Sequence, residues 1–105
     1  MKLTEIERLK NYSDEQELRE LTEKIGDKIN FKGYSREQVI DLVTELMAID
    51  LIALEYITRE SVLNVLCDAF LYYDIRDEID FDKLSIIKDY VENDLKEYIE
   101  EIVGE

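Results

Sequence analysis

Residues 39–73, VIDLVTELMAIDLIALEYITRESVLNVLCDAFLYY, carry the reading on which the fold turns. Val39, Leu42, Val43, Leu46 and Met47 recur at three- and four-residue steps, the spacing of one face of a helix that begins near residue 36. Extending that face reaches Asp50, where a carboxylate would be buried and would need a partner. Desolvating an unpaired carboxylate is costly, so the helix is expected to stop or kink, with Asp50 recapping a short helix to Ile57. A further helix near 59–73, with Thr58 as its cap, then turns Val62, Leu66, Ala69, Phe70 and Tyr73 inward. This pair is expected to form the centre of an all-α protein.

Working outward, the same signals recur. Thr4 with Glu7, Ser13 with Gln16, and Ser35 with Gln38 have the spacing of a capping box. They predict a short helix near 4–11 and a longer one near 14–29, whose face holds Leu18, Leu21, Ile25 and Ile29. Gly26 is a candidate early end to that helix, and residues 30–34 read as a loop. A last helix is expected over 82–103, capped by Asp80 or Asp82, with Leu84, Ile87, Val91, Leu95, Tyr98 and Ile102 in one narrow sector. Lys88, Glu92, Lys96 and Glu100 form a four-residue charge ladder on its flank. With three glycines, no prolines and no strand-like alternation, the expectation is a single domain, 1–105, built as a compact bundle of four to five helices.

Twenty-seven acidic side chains against thirteen basic ones, with no histidine, give a formal charge of −14. Nucleic acid and anionic membrane surfaces attract proteins through Lys and Arg, so both are disfavoured as direct ligands. A basic protein is favoured and would be steered toward this chain. Disorder does not follow from the charge, because 46% of the residues are apolar. The most hydrophobic stretch, Val39–Ile57, is interrupted by Asp41, Glu45, Asp50 and Glu55, which argues against a membrane span. A charged N-terminal segment without a signal-peptide core, together with a single cysteine, points to a cytoplasmic protein.

Few catalytic arrangements can be assembled. Without histidine there is no Ser-His or Cys-His pair, and zinc loses its usual nitrogen ligand. Cys67 lies in an apolar helical run and reads as a small core residue. No glycine-rich phosphate loop is present. The acid-dense stretch 74–82 resembles a calcium loop only in composition: the central glycine is missing, and the twelfth position from Asp74 is Ser85. Asp41 and Glu45, at a four-residue step, read as solvent face and not as a catalytic dyad. No catalytic, cofactor-binding or metal-binding residue is assigned, and no enzymatic activity is expected.

A binding surface is the stronger expectation. Phe70-Leu71-Tyr72-Tyr73 runs directly into the acidic turn 74–82, which sets aromatic anchors beside steering charges. The candidate partner-binding residues are Leu71, Tyr72, Asp74, Asp77, Glu78, Asp80 and Asp82. Residues 74–105 alone carry a net −8. Carboxylates spaced along helices could imitate DNA phosphates toward a DNA-binding protein, or cap a cationic nuclease or toxin. The expected function is therefore a non-enzymatic acidic module, of inhibitor, immunity, antitoxin or phage-encoded type, that masks a cationic partner. The alternative is a structural protein that self-associates as a homodimer through Leu51, Ile52, Leu54 and Ile57 in the apolar segment Ile49–Ile57.

Residues 12–25, YSDEQELRELTEKI, and 35–44, SREQVIDLVT, resemble the first two helices of colicin-nuclease immunity proteins. That family comprises small acidic four-helix inhibitors that bind a basic nuclease through acids and tyrosines, so the resemblance implies toxin neutralisation. It covers under a third of the chain. The family's short tyrosine-bearing third helix has no clear counterpart, and Tyr72-Tyr73 lies in a different context.

Overall fold

The computed structural model describes residues 3–104, which form six α-helices. They are α1 (Thr4–Asn11), α2 (Glu15–Asn30), α3 (Arg36–Met47), α4 (Tyr56–Tyr72), α5 (Asp82–Ile87) and α6 (Asn93–Val103). Short 3₁₀ turns at Leu51–Ala53, Arg76–Glu78 and Lys88–Tyr90 complete the helical segments. The expected class is correct, and the expected count of four to five helices is too low.

α4 organises the rest. Val62, Leu63, Val65, Leu66 and Ala69 are all buried, so its apolar residues spread around the helix instead of forming one stripe. That distribution belongs to a helix surrounded by others. Along one flank, α2 runs parallel to it at a nearly constant offset of about 39 positions. The Glu55 amide donates to Glu15 Oε1 at 3.0 Å, Arg19 Nη1 donates to Thr58 Oγ1 at 2.7 Å, and the Tyr73 hydroxyl donates to the Tyr34 carbonyl at 2.9 Å. α6 lies along the other flank in the same direction, tied by Arg59 to Glu92 near the N-terminal ends and by Cys67 to the Tyr98 carbonyl further along. α3 packs on α4, α1 on α2 and α3, and α5 on α6. The smallest dimension, 20 Å, corresponds to two helix layers.

Several local expectations change. α3 does end at Met47, but Asp50 is exposed and its side chain caps nothing. A 3₁₀ turn follows in place of the expected short helix, and it buries Leu51. Only the Ser35–Gln38 capping box forms as read. At α2 the motif shifts by one residue: Asp14 accepts from the Glu17 amide, and the Glu17 carboxylate accepts from Ser13. At α1 the cap position is Leu3, with Thr4 the first helical residue. Thr58 lies inside α4, buried, because α4 starts two residues earlier and Thr58 serves as an acceptor for Arg19. Gly26 does not end α2. It faces Val65 of α4, where an added Cβ would sit 3.6 Å from Val65 Cγ2.

α2 ends instead through Lys32 in the left-handed region (φ 53°), with the Gly33 amide donating to the Lys28 carbonyl at 2.8 Å. A Cβ at Gly33 would come within 2.6 Å of Lys28 Cγ, so any other residue here would force the Lys28 side chain to shift.

The expected helix 82–103 is two helices. Lys88–Tyr90 tightens into a 3₁₀ turn, and Val91 and Glu92 are extended before α6 begins. Leu84 of α5 and Leu95, Ile99 and Ile102 of α6 are each at most 1% exposed, so the break lets both segments reach the core. It also turns Glu92 out of the expected charge ladder and onto Arg59, at 2.7 Å. Lys88 and Glu100 still approach to 3.5 Å. Asp80 supplies the turn before α5, accepting from the Asp82 amide at 2.9 Å.

α1 is held by a buried carboxylate. Glu5 is 7% exposed and accepts a 2.6 Å bond from the Tyr34 hydroxyl, with Lys28 Nζ at 3.8 Å. Burial pushes the Glu5 carboxyl upward, but the Tyr34 bond, its own backbone amide, Lys28 and Lys24 outweigh it, leaving Glu5 below its ordinary 4.5. A depressed carboxylate stabilises the fold above its unfolded pKa, and that contribution disappears as pH falls through the folded value. Tyr34→Phe is therefore expected to cost about 2 kcal/mol at neutral pH, the loss of a hydrogen bond to a charged group. The difference from the parent protein should narrow below pH 4.5, as denaturant unfolding across pH would report.

Candidate functional site

The basic side chains explain the electrostatics of the surface. Arg59, 8% exposed, donates to the carbonyls of Leu51, Ile52 and Leu54 as well as to Glu92. Arg76 donates to the carbonyls of Ile102 and Glu101 at the C-terminal end of α6, and its guanidinium stacks 5.3 Å from the centre of the Phe70 ring. Lys83 holds the end of α3, donating to the Met47 and Ile49 carbonyls at 2.6 and 2.8 Å. Arg36 donates to the Asp74 carbonyl at 2.9 Å. Cations at helix C-terminal carbonyls are favoured by the helix dipole and satisfy backbone acceptors. These bonds leave acidic side chains without a counterion. Among the described residues, four ion pairs form: Lys10–Glu45, Lys28–Glu5, Arg59–Glu92 and Lys88–Glu100.

All seven candidate partner-binding residues are exposed. They do not form one site. Leu71, Tyr72 and Asp74 line a shallow groove with Phe70, Tyr73 and Arg76. Glu78 and Asp80 line a different groove, against Thr44, Met47, Ala48, Ile79 and Lys83. Asp77 and Asp82 line neither of these two grooves. The turn is pinned from both sides: Arg36 holds the Asp74 carbonyl, and Ile75, fully buried, anchors it to the core. Of the anchors, Leu71 is 70% exposed and Tyr72 is 38% exposed.

The apolar segment Ile49–Ile57 offers less surface than expected. Ile49, Leu51 and Leu54 are buried in the core, while Ile52, Tyr56 and Ile57 stay exposed. The segment lies against the body because Arg59 gathers its carbonyls from inside.

A groove of ≈ 550 Å³ lies elsewhere, between the parallel helices α2 and α4. Glu20, Glu23 and Asp27 of α2 form one wall, and Ile57, Ser61, Asn64 and Asp68 of α4 form the other. Gly26 and Val65 are in its lining. Burial lifts the Asp68 carboxyl above its ordinary range, opposed by a hydrogen bond with Asn30. On the far side of α4, a second groove is lined by Glu60, Asp94, Glu97, Tyr98 and Glu101. The seven residues picked from sequence include none of these. The spacing of Glu20, Glu23 and Asp27 on one helix face, beside a glycine, was the available signal.

Cys67 is half-buried, and its Sγ lies 3.6 Å from the Tyr98 carbonyl. Burial, aided by Glu101 and Asp68, pushes the thiol up to about 12, which makes it a poor nucleophile at neutral pH. Among the described residues, no group of three or more Cys, Asp or Glu side chains is placed to hold a metal ion, and no helix is long and apolar enough to cross a membrane. Compared with known proteins, the chain matches no family model, no curated protein and no solved structure.

Proposed function

We propose that this protein is a non-enzymatic binding module that masks a basic protein partner, in the manner of an inhibitor, immunity protein or antitoxin. One observation carries the reading: acids outnumber bases twenty-seven to thirteen, and four of the thirteen cations, Arg36, Arg59, Arg76 and Lys83, are turned onto backbone carbonyls, so the exterior presents carboxylates that no internal charge neutralises. Such a surface attracts a cationic protein over several ångströms and repels nucleic acid. Leu71 and Tyr72 supply exposed apolar contact area beside it.

Affinity capture at low ionic strength, followed by titration with the purified partner, tests the reading. Binding is expected to weaken about tenfold or more between dilute buffer and high salt, because exposed charges are screened over roughly 3 Å at molar ionic strength. Salt-insensitive binding would sink the reading.

A second reading, self-association, is favoured by the exposed Ile52, Tyr56 and Ile57. Light scattering across a concentration series separates it: a stable dimer with no other partner supports assembly, and a monomer throughout removes it.

A further inference from the structure

We infer that the open face of the α2–α4–α6 row is a docking site for a basic amphipathic helix of a partner protein. This rests on the basic-partner reading above and locates it on a surface other than the acidic turn. Three observations converge there. The first is shape. The parallel course of α2 and α4 leaves a continuous groove of ≈ 550 Å³ with small residues, Gly26 and Thr22, in its lining. A groove between helices accepts another helix more readily than a flat surface does.

The second is charge. Glu20, Glu23, Asp27 and Asp68 line this groove, and Glu60, Asp94, Glu97 and Glu101 line its neighbour across α4. Arg19 is the one cation in either lining, and its guanidinium already donates to Thr58. Lysine and arginine suit such walls, since their methylene stems can lie along the exposed Ile57 while their heads reach the carboxylates. Asp68 gains most from this, because burial disfavours its ionised form and a cation would relieve it.

The third is the placement of apolar anchors. Ile57 and Leu71 lie on the same exposed stripe of α4 as Ser61, Asn64 and Asp68, and they are 54% and 70% exposed. The fourteen-residue step from one to the other spans about 21 Å of helix. A partner helix with apolar residues about four turns apart and basic residues between them matches that pattern. Nucleic acid would meet the same carboxylates as a like charge and is excluded from the face.

A synthetic amphipathic peptide serves as the probe, with lysines along one face and two leucines about fourteen positions apart. Its binding is followed by fluorescence anisotropy at low ionic strength, with amide NMR spectra confirming that each variant is folded. The groove variant Glu20→Gln/Glu23→Gln/Asp27→Asn is expected to weaken binding about tenfold. The turn variant Asp77→Asn/Glu78→Gln/Asp80→Asn removes the same charge and is expected to change affinity less than about twofold. Leu71→Ser should weaken binding as well, and amide shifts should centre on Ser61, Asn64 and Asp68. Equal losses in both triple variants would reduce the effect to diffuse electrostatics and overturn the inference. Loss in the turn variant alone would overturn it while leaving the basic-partner reading intact. Failure of the probe to bind the parent protein would overturn the groove assignment, leaving the salt titration with the captured partner as a separate test.

Discussion

Arg59→Met is expected to lower the unfolding free energy by about 3–5 kcal/mol, the scale for removing one member of a buried, hydrogen-bonded charge system. Arg59 is 8% exposed and sits in the first turns of α4, where helical side chains lean back toward the N-terminus. That direction carries its guanidinium into the segment between α3 and α4, where it meets the carbonyls of Leu51, Ile52 and Leu54. A cation near a helix N-terminus is unfavourable by itself, so these acceptors and Glu92 must outweigh the dipole. Methionine preserves volume and deletes every donor, stranding carbonyls that have little access to water. Chemical denaturation of the variant measures the loss directly. Arg59→Lys should recover only part of it, since an ammonium lacks the planar fork that serves three carbonyls and a carboxylate together. A loss below about 1 kcal/mol would show that the 51–54 segment does not depend on this side chain.

Leu63→Ala is the second large effect expected, at about 2–5 kcal/mol. Leu63 is fully buried, yet it does not belong to the stripe of Val62, Leu66, Ala69, Phe70 and Tyr73 that periodicity picks out. Its burial follows from the position of α4 between α2 and α6 with α3 packed on it, which leaves few directions open. For a domain of this size, a loss of about 3 kcal/mol lowers the melting temperature by roughly 12–20 °C. A Leu63→Ala protein that melts within about 3 °C of the parent would mean that α4 is not enclosed on that side.

The contrast between these two residues shows what the sequence made legible. Signals confined to one turn of helix were readable: Ser35 and Gln38 make their capping box because both partners lie within four residues. The bounds of α1 and α2 also came within a residue or so, although α1 has no side-chain cap and Asp14, not Ser13, caps α2. Features set by distant partners were not readable. Thr58 looks like a cap until Arg19, 39 residues earlier, claims its hydroxyl. Gly26 looks like a helix end until Val65 is known to pack against it. The 82–103 periodicity is genuine as far as each half goes, but Arg59 and the core draw Glu92 and Val91 out of the helix.

The candidate site was legible to the same degree. Exposure of Leu71, Tyr72 and the acidic turn followed from local polarity and is observed for all seven residues. Their separation into different grooves was not, because it depends on how Arg76 and Lys83 fasten the turn to the ends of α6 and α3. The groove between α2 and α4 exists only through the parallel pairing of two helices about 39 positions apart in sequence. Read alone, Glu20, Glu23 and Asp27 are an ordinary solvated face.

The central claim is that a basic protein engages carboxylates left without internal counterions. The association rate with the captured partner, measured by stopped flow as ionic strength rises, tests it most directly. Electrostatic steering predicts a fall of about tenfold or more from low to physiological salt. A rate that stays constant over that range would contradict the account.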